Sequence, residues 1–477
     1  MKARLVPVAT ALLLAAGWFG SSAAQQDSTV SRGIPSETLD SLMARQPSYW
    51  GAFPAAEEAA PTPLRNRPAP VWEDIINAPY RAVRFPIRIA ARGVGATSSF
   101  MKEHRVVYHI SHVLSGKAGP VWRRVGITVG GLSGTGANLT LAGPEHAGVE
   151  DRLRLGFQQT IRGTQRVTAG VRLPLGETRD LELAAGYRVL PNARYFGTGP
   201  QSTRDMESFY TQEDSWLGAS FRRSAPGGVA ADLSVHFSTA GSRAPRAAST
   251  PFIADRFLGR LPPGYGRRSD GMTAGITLRR DNTAESGRPD RGVVQSARLA
   301  RFEAVGGGRA SFWSYRGEWA QFLPLFLSKR VLALRGYLSW LDPAGGDPVP
   351  FQRLATNEEG NVLRGYRDYR WRDRGLVDLS AEYRWPIWAL RTVEGDGADA
   401  YLLFDWGQVF GEVTAISARR MASSYGFGIR AIRTHGFTAR VELARSREGS
   451  IFRLRADQVL GWGDRRLFRG VDPIVPR

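Results

Sequence analysis

The sequence predicts an all-β protein, a sixteen-stranded antiparallel transmembrane β-barrel carried into the bacterial envelope by a signal peptide. Three observations predict it. The N-terminus has the layout of a secretory leader, no later apolar run is long enough for a spanning helix, and from Val121 onward the hydrophobic period is two.

The leader comes first. Lys2 and Arg4 supply a positive flank, Leu5 to Trp18 is apolar with Leu12, Leu13 and Leu14 at its centre, and Ser22-Ala23-Ala24 offers small residues for cleavage, which bounds a signal peptide at 1–24. The apolar run falls short of the roughly 20 residues a spanning helix needs. Residues 25–70 hold Pro61, Pro63, Pro68 and Pro70 among Ala, Ser and charge, and read as a disordered periplasmic linker. Residues 71–120 repeat Ile75, Ile76, Tyr80, Val83 and Ile87, then Phe100, Val106, Val107, Ile110 and Val113, at helical spacings broken by Pro79 and Pro86. They read as short amphipathic helices, either on the inner rim of a barrel or plugging it, or else as a loose tail.

The barrel is expected over 121–460. In Leu376–Trp385, Leu376, Asp378, Ser380, Glu382 and Arg384 alternate with Val377, Leu379, Ala381, Tyr383 and Trp385. Arg152–Ile161, Leu332–Trp340 and Phe437–Leu443 alternate in the same way. A soluble sandwich also alternates. Here apolar faces end in Trp or Tyr as interfacial girdles do, polar faces carry charges of both signs as a wet lumen does, and runs near ten residues suit a bilayer. Sixteen strands are expected near 121–130, 135–143, 151–162, 165–175, 179–189, 207–223, 228–239, 270–281, 291–304, 310–323, 329–342, 375–387, 399–409, 423–433, 436–446 and 450–459. The longest connections, Pro191–Glu207, Ala240–Asp270 and Pro343–Arg374, all follow odd-numbered strands and so open on one side, the asymmetry of an outer-membrane barrel with its N-terminus periplasmic. Residues 461–477 form a basic tail with Pro473 and Pro476, in which Trp462 or Phe468 would supply a terminal aromatic.

Composition limits the function classes. Cysteine is absent, which excludes disulfides and thiolate metal sites. The net charge of +20 points to anionic partners, but no run of five like charges occurs and the arginines stand singly among apolar residues. This argues for outer-membrane lipid and lipopolysaccharide, leaves room for a polypeptide or lipid client, and argues against nucleic acid. Of the six histidines, His104, His109 and His112 lie near Glu103 with spacing only roughly suited to metal, and a solvated helix is the reading taken. His236 and His435 have no evident partner, and neither a G-x-S-x-G element nor a phosphate-binding glycine loop occurs. The expectation is a monomer with no metal, no cofactor and no enzymatic activity.

The most specific segment lies in the third long connection: Val362-Leu363-Arg364-Gly365-Tyr366-Arg367-Asp368-Tyr369. It is followed by Glu382-Tyr383 in the twelfth predicted strand and Leu403-Phe404-Asp405-Trp406-Gly407 in the thirteenth. This ordered set resembles the barrel of the BamA/TamA superfamily, also called the bacterial surface antigen family, which has an Arg-Gly-Tyr/Phe element after its eleventh strand and a Phe-x-Asp-x-Gly element on its thirteenth. Leu403 stands where that family usually has Phe. Arg194-Tyr195-Phe196-Gly197-Thr198-Gly199-Pro200 resembles the family's aromatic-glycine loop, and Asp281 through Pro289 to Gly292 its Asp…Pro…Gly connection. The resemblance covers about 121–460, and is to the subgroup without the periplasmic POTRA modules.

The resemblance implies that the loop after the eleventh strand folds back into the lumen, and that the seam between first and last strands is weakly paired and opens. A guanidinium inside a barrel needs acceptors, and Glu382 and Asp405 both lie on polar faces. Arg364, Glu382 and Asp405 are therefore expected to form a lumenal latch. Gly365 would let the backbone turn beside the wall, Gly407 would clear space for the loop, and Tyr366 would complete the loop tip. The implied role is outer-membrane biogenesis or passage of protein or lipid. The alternative is a passive channel favouring anions, and an outer-membrane enzyme ranks third.

Overall fold

In a computed structural model, the described residues are 115–118, 121–128, 136–143, 153–245, 251–283, 289–306, 310–325, 330–344, 346–357, 362–389, 397–432 and 438–455. The expected leader, linker and C-terminal tail, most of the expected helical segment 71–120, the Glu103–His112 cluster and His435 lie outside them; where that segment is described, at 115–118, it is a strand and not a helix. The chain divides into two compact units, Met1–Gly116 and Lys117–Arg477, and only Ser115 and Gly116 of the first are described.

The second unit is almost entirely β. Its strands are β1 (Ser115–Ala118, which straddles the unit boundary), β2 (Val121–Thr128), β3 (Gly136–Gly143), β4 (Leu153–Thr160), β5 (Gln165–Pro174), β6 (Arg179–Tyr195), β7 (Ser208–Ala225), β8 (Val229–Arg243), β9 (Ser269–Asp281) and β10 (Gly292–Ala304). There follow β11 (Phe312–Leu325), β12 (Arg330–Pro343), the two-residue β13 (Ala355–Thr356) and β14 (Arg372–Asp373), β15 (Gly375–Ala389), β16 (Gly397–Phe410), β17 (Ala422–Ile432), β18 (Thr438–Ser446) and β19 (Gly449–Arg455). From β2 to β12 and on through β15 to β19, each strand pairs antiparallel with the next within one sheet. The sheet contains seventeen strands, one more than alternation predicts. The additional one is β1, too short at four residues for a period to register in the sequence.

Polarity is inverted relative to a water-soluble protein. Leu155, Phe157, Leu233, Val235, Phe237, Leu402 and Phe404 are exposed on the outer face, while Asp378, Ser380, Glu382, Arg384 and Asp405 on the inner face are buried. Such a continuous apolar exterior is stable only against hydrocarbon. Among the described residues no helix is long and apolar enough to cross a membrane, so crossing falls to strands. The expected aromatic girdle needs correction at two positions. Trp385 and Trp340 are both nearly buried, Trp385 beside Tyr383, and Trp340 stacked on Phe410 at 5.4 Å beneath the Arg374 guanidinium at 5.1 Å. Exposed aromatics on the outer face include Tyr187, Trp313 and Tyr425.

The turns sort by length. The hairpin between β7 and β8 closes on Pro226-Gly227-Gly228, where Gly227 and Gly228 take φ of 76° and 72° and a Cβ on Gly228 would collide with the Asp281 carbonyl. Three long connections, 196–207, 244–268 and 344–374, follow β6, β8 and β12. These strands run in one direction, so the loops share a rim. The first is shorter than expected because β6 continues past Pro191 to Tyr195: a bulge between Leu190 and Ala193 absorbs the proline, and pairing with β7 resumes. Arg194 and Tyr195 thus end a strand rather than begin a loop.

The three loops interlock. The Phe351 N–H donates to the Pro263 carbonyl (2.9 Å), Gln352 Nε2 donates to Ser242 Oγ (3.0 Å) and the Gly264 carbonyl (2.8 Å), and the Gly199 N–H donates to the Arg372 carbonyl (2.8 Å). Phe351 packs edge-on against Tyr195 and Tyr210, with ring centroids 5.4 and 5.1 Å apart, beside the stacked pair Phe302 and Phe312. These rings belong to one buried apolar cluster among the described residues.

Candidate functional site

The third long loop meets side chains of β15, β16, β18 and β19, and its chemistry centres on Arg364, which is fully buried. Asp405 on β16 takes the guanidinium side-on: Nη2 donates to Oδ1 at 2.6 Å, and Nε lies 3.0 and 3.1 Å from the two carboxylate oxygens. The Arg364 backbone N–H donates to Asp405 Oδ2 at 2.8 Å. The opposite nitrogen, Nη1, donates to Glu382 Oε1 on β15 at 2.5 Å. Arg364, Glu382 and Asp405, singled out in the sequence, are therefore in contact. Burial disfavours the Arg364 cation, but Asp405, Glu382 and Glu442 outweigh it, so its pKa is raised and the group is charged at any pH the protein meets.

Two participants were not legible beforehand. Glu442 on β18 is a third carboxylate, 3.4 Å from Arg364 Nη1, and it accepts the Tyr401 hydroxyl at 2.9 Å. Arg453 on β19 grips the loop from the far side, donating to the carbonyls of Arg364 (3.3 Å) and Tyr366 (2.5 Å) and to the Asp368 carboxylate (2.6 Å). Both sit at inward positions of their strands, a signal that the alternation does carry. What the sequence withholds is how far each strand slides in register, and so which inward charge faces the loop tip.

The surrounding charges compensate one another. Arg384 makes a two-nitrogen pair with Glu382 Oε2 (2.8 and 2.6 Å), Arg430 pairs with Asp399 (2.9 Å), Arg440 approaches Glu442 (3.4 Å), and Arg335 lies 3.7 Å from Asp378. Five arginines thus face five carboxylates, the arrangement that allows ions to remain charged away from water. Ser424 Oγ donates to Asp405 Oδ2 at 3.0 Å and Ser380 Oγ to Asp378 Oδ2 at 2.7 Å, filling acceptor positions the guanidiniums leave.

The glycines act differently from expectation. Gly365 does not take a left-handed conformation; that falls to Leu363 (φ 51°) and Tyr369 (φ 62°), which bracket the loop tip. Non-glycine residues there are strained, and the packing around them must hold them in place. Gly365 is needed for clearance, since a Cβ would stand 2.6 Å from the Ser424 Cβ and 2.9 Å from the Arg445 carbonyl oxygen. Its own carbonyl accepts Ser446 Oγ at 2.8 Å. Gly407 does not make room for the loop: its missing Cβ would meet the Val377 carbonyl at 2.5 Å, so it serves the close approach of β16 to β15. Tyr366 is buried, edge-on to Trp371 with centroids 5.5 Å apart.

Further contacts tie the rest of the loop down. Arg367 pairs with Glu207, which also takes Arg194 at 3.0 Å. Arg370 reaches Glu448 in the β18–β19 turn (2.9 Å) and Ser202 Oγ (2.8 Å), and lies 4.1 Å over Trp371. Arg353 donates to Ser238 Oγ (2.9 Å) and the Ser269 carbonyl (2.5 Å), 4.5 Å over Phe302. Among the described residues, no group of three or more metal-ligating side chains occurs.

Comparison with known proteins agrees with the single antiparallel sheet. Residues 132–437 match the Omp85 superfamily domain. Among solved structures, BamA from Haemophilus ducreyi lacking POTRA domains 1–3 superposes with a TM-score of 0.53 at 12% identity, covering 71% of this chain and 70% of that one. CdiB from Escherichia coli is similar at 12% identity with a TM-score of 0.46, covering 72% of this chain and 61% of that one. CdiB from Acinetobacter baumannii gives 13% identity and a TM-score of 0.43, covering 71% and 59%. No curated protein sequence matches. The family match spans well over half of the 477 residues, and the chain therefore belongs to the Omp85 superfamily and is a bacterial outer-membrane β-barrel protein.

Proposed function

We propose that this protein is a non-catalytic barrel of the BamA/TamA type, working in outer-membrane biogenesis or in translocation of a polypeptide or lipid client. The sixteen strands of seven or more residues, β2–β12 and β15–β19, form its transmembrane wall. The N-terminus is periplasmic and the long loops are outside. The loop 344–374 occupies the lumen, latched by Arg364 to Asp405 and Glu382, with Glu442 as a third acceptor.

One observation carries the reading: an arginine at a loop tip, fully buried, with four nitrogen-to-oxygen contacts of 2.5–3.1 Å from its side chain to two carboxylates on different strands. A loop needed only to join two strands would not carry its charge so far from water. Arg453 adds a functional consequence. It sits on β19, the last strand in chain order and one side of the seam proposed between first and last strands, so the latched loop and that strand restrain each other. A strand released at that seam would offer backbone donors and acceptors to a client by edge pairing.

Planar-bilayer recording tests the proposal against the passive-channel alternative. A loop-filled barrel gives mostly closed traces with brief openings, and Arg364→Ala lengthens the openings. A large steady conductance in the unaltered protein would overturn the latch and favour a pore. Cross-linking β2 to β19 tests the seam, since full function in a locked barrel rules out edge pairing there.

A further inference from the structure

The outer wall carries a feature that neither the latch nor the seam uses. On β7–β10, outward residues fall into rows across the strands. One row, Phe221, Leu233, Ile276 and Leu299, is bulky, and so is another, Leu217, Phe237 and Met272. The row between them is Ala219, Val235 and Ala274. Beside the bulky row through Phe221 and Leu299, Ala219 and Ala274 leave an open trough of about 600 Å³ on the apolar face.

The trough ends at a charge. The small row continues in register to Arg301 on β10 and Trp313 on β11. The Arg301 guanidinium lies 5.5 Å over the Trp313 ring and donates through Nε (2.9 Å) and Nη2 (2.7 Å) to a single oxygen of Glu303, whose other oxygen accepts Ser311 Oγ at 2.8 Å. Among the described residues, Arg301 Nη1 has no protein partner. An arginine on a hydrocarbon-facing wall is costly near the midplane and nearly free at the headgroup level, so Arg301 and Trp313 mark that level. β10 runs in the direction of β6, β8 and β12, which puts Arg301 toward the rim of the long loops.

We propose that this trough is a docking site for one phosphorylated acyl lipid of the outer leaflet, an acyl chain lying over Ala219, Val235 and Ala274 and a phosphate oxygen accepting from Arg301 Nη1. Three observations select this occupant. The trough is apolar along its length. Its charged end offers the planar guanidinium that suits phosphate. Trp313 lies under that guanidinium at the depth where headgroups begin. The site rests on the proposed outer-membrane orientation but is independent of the latch.

Native mass spectrometry of the detergent-solubilised full chain, titrated with lipid A and with its dephosphorylated form, tests it. The unaltered protein is expected to retain one lipid A and to prefer the phosphorylated form at least tenfold. Arg301→Gln removes that preference. Ala219→Leu with Ala274→Leu fills the trough and lowers retention of both forms at least tenfold. Migration in unheated gels checks that each variant is a closed barrel, and Val305→Leu, outside the trough, controls for added bulk. Equal retention by the filled variant, equal retention of both lipids by the unaltered protein, or capture of a polypeptide by a photo-crosslinker at Ala274 would each overturn the site. Arg364→Ala leaves lipid retention unchanged, so failure of the latch and failure of the trough read separately.

Discussion

Replacing Arg364 by Ala removes one cation from an enclosed network, and the cost follows from what remains. Asp405 loses its side-on partner but keeps the Arg364 backbone N–H and Ser424 Oγ. Glu382 keeps Arg384, and Glu442 keeps Tyr401 and Arg440. Deleting one partner of a buried ion pair usually costs about 3–5 kcal/mol, and the surviving partners put this case near the lower end, about 3 kcal/mol. At about 1.4 kcal/mol per factor of ten, the ratio of released to latched loop should rise about a hundredfold. Trypsin reads that ratio, because cleavage after Arg367, Arg370 or Arg374 tracks the open population when the loop opens and closes quickly. The expected result is cleavage in that stretch faster by about two orders of magnitude, with barrel strands uncut. Adding Asp405→Asn to Arg364→Ala should recover part of the loss, since the double variant no longer encloses an uncompensated carboxylate. A rate within threefold of the unaltered protein would mean that Arg453, Arg370 and Arg353 hold the loop unaided, and the latch would be refuted.

Other outcomes follow from the same geometry. Gly365→Ala pushes a Cβ against Ser424 and the Arg445 carbonyl and should destabilise the loop by about 1–3 kcal/mol, read by the same cleavage assay. The carboxylate variants should rank Asp405→Asn, then Glu382→Gln, then Glu442→Gln in lowering the heating midpoint of the compact gel species, following contacts at 2.6, 2.5 and 3.4 Å and the number of bonds each makes; a reversed order would show the enclosed charge, not the arginine contact, to dominate. Arg453→Gln should raise amide exchange of Gly449–Arg455 about tenfold or more while β15 and β16 stay protected, and unchanged exchange would sever the loop from that strand.

Much of the wall was legible because alternation is a local signal. Side chains two apart share a face whatever the rest of the fold does, so Asp378, Glu382 and Asp405 could be placed inward before any neighbour was known. The short β1 carried no period, and β6 ran on through Pro191 because a bulge, invisible in composition, took up the irregularity. The girdle inference failed at Trp340 for a related reason: its alternation was read correctly, but its cover, Phe410 and Arg374, comes from elsewhere in the chain.

The site divides along the same line. Residue types and their order named Arg364, Glu382 and Asp405, since a lone guanidinium in a long loop needs carboxylates and the polar faces supplied them. The sequence by itself determined the alternating wall, the inverted polarity and the chemical kind of partner each inward charge requires. Only the tertiary structure decided which charges meet. Glu442 and Arg453 join the cluster because strand pairing and stagger bring β18 and β19 to the same height as a loop tip some eighty residues earlier, and register between strands is a property of pairing that no single strand encodes.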